Sequence, residues 1–369
     1  MTSQQLLAER RARIATAVAL GTPDRVPFVP LGDAFAANQV GVSLAEFATD
    51  PQVAYPTIIK AFTSLGEIDG VQHASYNVAS LTTMWLSKVK WPGRDLPPDQ
   101  LWQVEEAELM APEDYDAIAA DGYGPWLERF IPRAGLEEEF TLYRERFVPS
   151  LPAAFAAWEA AGIPVFAPVM FTTPFETLCG GRSMRPFVLD LHRMPDRVEA
   201  AMKAMMPHIL ESVRHAVRSL DLTGCRLGGW RSASEFLSPK LWERFVFPYY
   251  RELCAAVVAE GVTPVFHFDS NWERDLERFL EFPKATCVLS LDGATDIFKA
   301  KEVLGDHMCL MGDVPPRMLT LGTPDEVYAY SRRLVTEIGP SGFILAQGCD
   351  IPPDAKVENV RAMIAAAHG

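Results

Sequence analysis

The sequence predicts an α/β protein: a (β/α)8 TIM barrel with an N-terminal helical extension and a long insertion. Two observations carry this expectation. Short apolar runs rich in β-branched residues alternate with helix-length amphipathic segments, as repeated βα units on a parallel sheet require, and these runs number eight. No GxGxxG follows the first run, which disfavours an open dinucleotide-binding sheet. At 369 residues the chain lies within the range of one large barrel, so residues 1–369 are read as a single domain with an insertion at about 86–162.

The opening "MTSQQLLAERRARIATAVAL" has basic residues at helical spacing and no cleavage-like site, and reads as a surface helix rather than a signal peptide. The expected strands are "VPFVPLG" from Val26, "DGVQHASY" from Asp69, "IPVFAPVM" from Ile163 and "GCRLGGW" from Gly224. They continue with "TPVFHFD" from Thr263, "TCVLSLD" from Thr286, "MCLMGDV" from Met308 and "GFILAQGC" from Gly342. Helices are expected in "DPQVAYPTIIKAFTSL", "MPDRVEAAMKAMMPHILESVRHAVRSL", "SPKLWERFVFPYYRELCAAVVAEG", "WERDLERFLEF", "DIFKAKEVLG" and "TPDEVYAYSRRLVTEIG". Several open on Ser-Pro or Thr-Pro, a cap and first-turn pair, and end near Gly. Residues 86–162 break the rhythm with Pro, Trp and acidic residues, and read as an excursion that shapes access to one end of the barrel or forms an interface.

With 34 basic and 48 acidic residues the net charge is −14, and no basic block interrupts it. Nucleic acid and anionic membranes are therefore not expected partners, although a local basic pocket for a small anion remains open. No window of 18 uninterrupted apolar residues predicts a membrane span. The six cysteines lack CxxC spacing, so a reducing, cytoplasmic setting without disulfides is expected.

Active-site groups of a barrel project from the C-terminal ends of its strands. Here those ends carry His73, Tyr76, Trp230, Arg231, Glu235, His267, Asp269, Asp292, Asp313, Cys349 and Asp350. His267 and Asp269 are two residues apart and share a face if the strand runs through them, and Cys349 would add a thiolate from another strand. Each also has a plainer reading: His267 as a hydrogen-bonded strand end, Asp269 as a helix cap, Cys349 as a small buried hydrophobe. Glu235, Asp292 and Asp313 suit acid/base chemistry or turns equally well, and Arg231 either grips an anion or pairs with Glu235.

The terminal stretch "GCDIPPDAKVENVRAMIAAAHG" resembles the C-terminal signature of the uroporphyrinogen decarboxylase superfamily, especially its zinc- and corrinoid-dependent methyltransferase branch. "RVPFVP", "PFETLCGGRSMRPFVLDLHRMPDRV", "LSPKLWERFVFPYY" and "MGDVPPRMLTLGTPDEV" follow the same order. The branch resembles methylcobamide:coenzyme M methyltransferases, in which a His-x-Cys pair and a distant Cys hold zinc. The resemblance implies a (β/α)8 barrel with His267 and Cys349 as metal ligands, and Asp269 where the nearer cysteine would stand.

A carboxylate in place of a thiolate makes a harder site, suited to an oxygen-bearing substrate such as a methyl ether. The resulting expectation is a zinc-assisted methyltransferase that moves a methyl group between a small, O-methylated molecule and cobalamin. No Asp-x-His-x-x-Gly run is present, so the cobalamin is expected on a partner corrinoid protein. Zinc is assigned to His267, Cys349 and Asp269, and catalytic roles to Asp269, Glu235 and Asp292; the residues that meet the corrinoid are unassigned. Two alternatives stand beside it. A decarboxylase of the parent kind is disfavoured because "VPLGDAFAANQVGVSL" lacks the arginines that bind a polycarboxylate tetrapyrrole, and a non-catalytic small-molecule-binding barrel would follow from loss of the metal.

Overall fold

In the computed structural model, which describes residues 1–369, six strands pair in parallel and in sequence order. They are Met170–Phe171, Gly224–Gly229, Thr263–Phe268, Val288–Leu291, Cys309–Val314 and Phe343–Gln347. The expected strands from Val26 and Asp69 are instead extended segments with single parallel bridges, Phe28 to Leu345 and Val71 to Val165. Most of the expected third strand is also irregular, with only Met170–Phe171 assigned. The cause lies in the sequence: Pro27, Pro30, Pro164 and Pro168 have no N–H to give to a ladder.

Hydrogen bonds nevertheless pass all the way round. Leu345 N donates to Pro27 O at 2.9 Å, Asp69 N to Phe28 O at 3.0 Å, Phe166 N to Val71 O at 2.7 Å and Arg226 N to Val169 O at 2.8 Å. The first, second and third segments thereby link the last strand to the fourth, and the ring closes through them.

Strand alternation then divides the apolar residues into two cores. Val29, Val265, Val288, Cys309, Met311, Ile344 and Ala346 fill the ring, and a larger cluster packs between the strands and the surrounding helices. The helix Ser3–Val18 starts in a capping box between Thr2 and Gln5. It is not simply the surface helix that its arginines suggest. Its Ile14, Ala17 and Val18 join the interior cluster and close the base of the ring, and Arg10 and Arg13 are buried.

Helices form at Pro51–Leu65, Pro195–Leu220, Ile297–Leu304 and Pro324–Glu337, as expected. The segment from Ser238 splits at Val246 into Pro239–Phe245 and Phe247–Ala259, because Pro248 cannot continue the first helix. "WERDLERFLEF" winds as a 3-10 helix over Glu273–Glu281. Residues 86–162 hold an antiparallel pair, Lys88–Lys90 with Gln103–Glu105, followed by the helices Glu113–Asp121, Tyr123–Ala134, Glu137–Leu142 and Val148–Ala160. The last of these returns to the ring, where the buried Trp158 Nε1 donates to Ala74 O at 2.9 Å. No helix is long and apolar enough to cross a membrane.

The base is locked by ions. Asp69, fully buried, accepts from Arg13 Nη1 at 2.6 Å, Arg25 Nη2 at 2.8 Å and Phe28 N at 2.9 Å, while Asp24 takes the other side of the Arg13 guanidinium. Removing one partner of such a network leaves a buried charge uncompensated. Asp69→Asn is therefore expected to lower the unfolding free energy by about 3–5 kcal/mol, measured by equilibrium urea denaturation.

Candidate metal centre at the barrel mouth

Register places the first donor. His267 lies on the strand Thr263–Phe268 opposite Ser290, both inside the ring, and His267 Nδ1 meets Ser290 Oγ at 3.2 Å. That contact leaves Nε2 as the free ring nitrogen, and Nε2 is buried with no hydrogen-bond partner. Burial, followed by the positive charge of Arg226 and by His73, holds the imidazole pKa well below its ordinary value. The ring is thus neutral, the form that ligates metal.

Asp269 follows the same strand, and its Oδ1 lies 3.6 Å from His267 Nε2. Burial raises its carboxyl to about 6, with a further upward push from Asp292; the Cys349 thiol and Arg226 act in the opposite direction. Cys349 comes from across the mouth, two residues beyond the strand Phe343–Gln347. Its carbonyl accepts from Gln347 Nε2 at 2.9 Å, and Gln347 Oε1 in turn accepts from Leu31 N at 3.2 Å. Burial, Asp269 and Asp350 push the thiol up.

The donor atoms of His267, Asp269 and Cys349 all lie within 4.8 Å of one another. Donors that share one tetrahedral zinc ion at roughly 2.0–2.3 Å stand about 3.3–3.8 Å apart, so the widest separation in the cluster would have to close by about 1 Å to ligate. The orphaned Nε2 and the N, O, S donor set fit such an ion.

The other candidates separate. Asp292 lies beside the cluster, but its Oδ2 accepts from Ser270 N and its Oδ1 from Ala294 N, each at 2.8 Å, so it shapes the loop that carries Asp269. Glu235 is exposed and accepts from Asn271 N at 3.2 Å. Asp313 accepts from the Tyr330 hydroxyl at 2.8 Å. Asp269 does not cap the following helix, where Asn271 Oδ1 accepts from Glu273 N at 2.9 Å instead. Arg231 is buried rather than at the surface, and its partner is Glu106 of the excursion at 2.6 Å, not Glu235. An open depression of about 870 Å3 around Trp91, Arg94 and Glu137 holds none of the clustered donors.

Sequence reasoning placed His73 at the mouth but missed its two partners there, Asp33 and Arg226. His73 Nδ1 meets Asp33 Oδ2 at 2.7 Å, and its Nε2 meets Arg226 Nη1 at 3.0 Å. Because the guanidinium only donates, Nε2 accepts and the Nδ1 proton goes to Asp33. Arg226 pairs in register with Val265, an interior residue. A charged residue at an interior position of "GCRLGGW" was the signal available for it.

These features define a (β/α)8 barrel with a cluster of metal-ligating side chains at the carboxyl ends of its strands. The chain belongs to the uroporphyrinogen decarboxylase family, whose model matches residues 163–369. A uroporphyrinogen decarboxylase of Syntrophotalea carbinolica is 32% identical over 133 residues, covering 36% of this chain and 38% of that protein. One of Chlorobium luteolum is 27% identical over 179 residues, covering 47% of each. The matched stretches thus span less than half the length of these relatives. The solved structure of a methyltransferase from Methanosarcina mazei superposes with a TM-score of 0.74 over 97% of this chain and 98% of that one, at 18% identity, and shows the same fold.

The placement of Cys349 depends on Gly348. A Cβ there would lie 2.3 Å from Asp292 O and 2.7 Å from Asp292 C, both backbone atoms that cannot rotate away. Gly348→Ala is expected to cost about 1–3 kcal/mol, read as a lower midpoint of thermal unfolding.

Proposed function

We propose that the protein is a zinc-assisted methyltransferase that moves a methyl group between a small O-methylated substrate and the corrinoid of a separate protein. The observation that carries this reading is the convergence of His267 Nε2, Asp269 and Cys349 at the mouth, with Nε2 buried and unpartnered. His267, Cys349 and Asp269 would hold the ion, with Ser290 fixing the imidazole. When bound, zinc supplies a Lewis acid for negative charge developing on the substrate oxygen. The protein's own residues orient the substrate and limit water. Asp269 is suited to this opening, since its side chain is 38% exposed whereas that of His267 is 6% exposed. Asp292 supports Asp269 through the loop, and Glu235 braces the same loop from outside at Asn271.

The relatives' name supports a second reading, decarboxylation of uroporphyrinogen. Residues 29–44 contain no arginine to meet a polycarboxylate, which weighs against it. Release of carbon dioxide from uroporphyrinogen by the purified protein would establish the decarboxylase instead.

Wild-type protein is expected to retain one zinc per chain by elemental analysis, and His267→Ala and Cys349→Ala to lose it. Ser290→Ala should weaken zinc binding about 10–100-fold. Absence of zinc from the wild type would sink the proposal. With free reduced cobalamin and an aryl methyl ether, methylcobalamin formation followed by its visible spectrum should fall on the order of 100-fold or more in either ligand variant.

The pH dependence of zinc binding follows from the metal-free groups. His267 is already neutral, the Cys349 thiol carries a proton, and the Asp269 carboxyl is protonated only below about 6. Binding therefore displaces one proton above that pH and two below it, so as the pH is lowered affinity should fall by about one decade per pH unit above the break and about two per unit below it. In Asp269→Asn the break should vanish in a competition titration with a chelator.

A further inference from the structure

Arg226 is an interior guanidinium that lacks a carboxylate partner. The residue is 5% exposed, and no carboxylate lies within ion-pair distance of it. Its one hydrogen bond runs from Nη1 to the neutral His73 ring, and Nε is buried with no partner. The acidic side chains around it do not reach it. Asp33 Oδ2 is taken by His73 and Asp269 lies beside His267, while Asp33 Oδ1 and Asp350 Oδ1 are buried without partners, and none of these carboxylates forms an ion pair with Arg226. A guanidinium does not shed its charge on burial, and an unpaired buried cation is costly. An unmet fork of N–H donors beside a site is matched by a planar acceptor with two oxygens.

The position adds a second constraint. Arg226 is rooted two residues before Gly228, and Gly228 pairs in register with His267. The strand therefore carries the guanidinium up toward the metal cluster, where its positive charge acts on the His267 imidazole and the Asp269 carboxyl acts on it in turn.

We propose that Arg226 is the anchor for a carboxylate of the substrate, so that the molecule whose methyl group is transferred is a small carboxylic acid, bound with its other end toward His267, Asp269 and Cys349. This rests on the methyltransferase reading for the fate of the methyl group, but the carboxylate site itself does not. His73, held by Asp33, acts as a positioning residue for the guanidinium. A lone guanidinium suits a monocarboxylate and not a tetrapyrrole with many.

Acetate and acetamide distinguish the charge from the shape, and both are small enough to enter any site that admits a larger carboxylate. Calorimetric titration of the full-length, zinc-loaded protein should give at least about tenfold tighter binding of acetate than of acetamide. The preference should persist after chelation of the metal, vanish in Arg226→Gln and weaken in Arg226→Lys, which keeps the charge but not the fork. Circular dichroism and zinc content of both variants check that the fold and the cluster remain. Equal binding of acetate and acetamide by the wild type, a preference that survives in folded Arg226→Gln, or one that disappears on chelation alone each overturns the proposal. Loss of zinc by the wild type with the acetate preference intact would remove the methyltransferase reading and leave the carboxylate site standing.

Discussion

A side chain that points into a closed ring of strands has no bulk water to fall back on, so it must be apolar or find its partner within the ring. The lower ring obeys the first option, with Val265, Val288, Cys309 and Ile344 packed against the N-terminal helix. The upper ring obeys the second. Ser290 answers one nitrogen of His267, and Asp33 and Arg226 answer both nitrogens of His73. His267 Nε2 and Arg226 Nε are among the buried polar atoms left without a partner, and both lie beside the cluster, where a ligand would complete the interior.

The two ends of the barrel handle charge differently. At the base, Asp69 has its oxygens taken by Arg13, Arg25 and a backbone N–H, which stiffens the junction between the N-terminal helix and the first two segments. At the mouth, Asp33, Asp269, Asp350 and the Cys349 sulfur surround a single guanidinium that touches none of the carboxylates. Unit charges 4 Å apart interact by about 4 kcal/mol at an effective dielectric of 20. Such a cluster is hard to keep ionised with one cation, and the metal-free site meets the problem by holding protons on Cys349 and, below about pH 6, on Asp269. A divalent cation would replace those protons, which is why the same residues that look strained without a metal form a coherent ligand set with one.

Much of this was legible in the sequence. The run "TPVFHFD" alternates correctly, and "GCD" follows an apolar strand, so His267, Asp269 and Cys349 could be assigned to one mouth before any contact was known. Segments 26–31 and 163–168 were legible as ring members but not as irregular ones, because the prolines that shorten their ladders still allow extended backbone. Arg226 was overlooked because a single charge inside an apolar run is invisible to composition, and its meaning depends on which face the residue occupies. Asp33 was overlooked for a related reason. It sits at the start of the helix Asp33–Val40, where an acid commonly serves the helix end, and only the tertiary approach of His73 gives it another role. The partner of Arg231 was equally out of reach, since Glu106 is 125 residues away in the excursion.

The difference between Asp269 and the cysteine found in the related His-x-Cys pattern then acquires a structural meaning. Asp269 and Cys349 are both partly exposed, with 38% of the Asp269 side chain open, whereas the imidazole of His267 is buried and fixed by Ser290. A change of donor at this position alters the side of the cluster from which a substrate approaches while leaving the buried anchor untouched. A carboxylate there is a harder donor than a thiolate, and it would leave a bound ion more electron-poor on its open side. Under the proposed function, that polarity would favour an oxygen substrate over a thiol. In the same proposal, a carboxylic acid whose ether end faces the ion would be held at its other end by the unpaired guanidinium of Arg226.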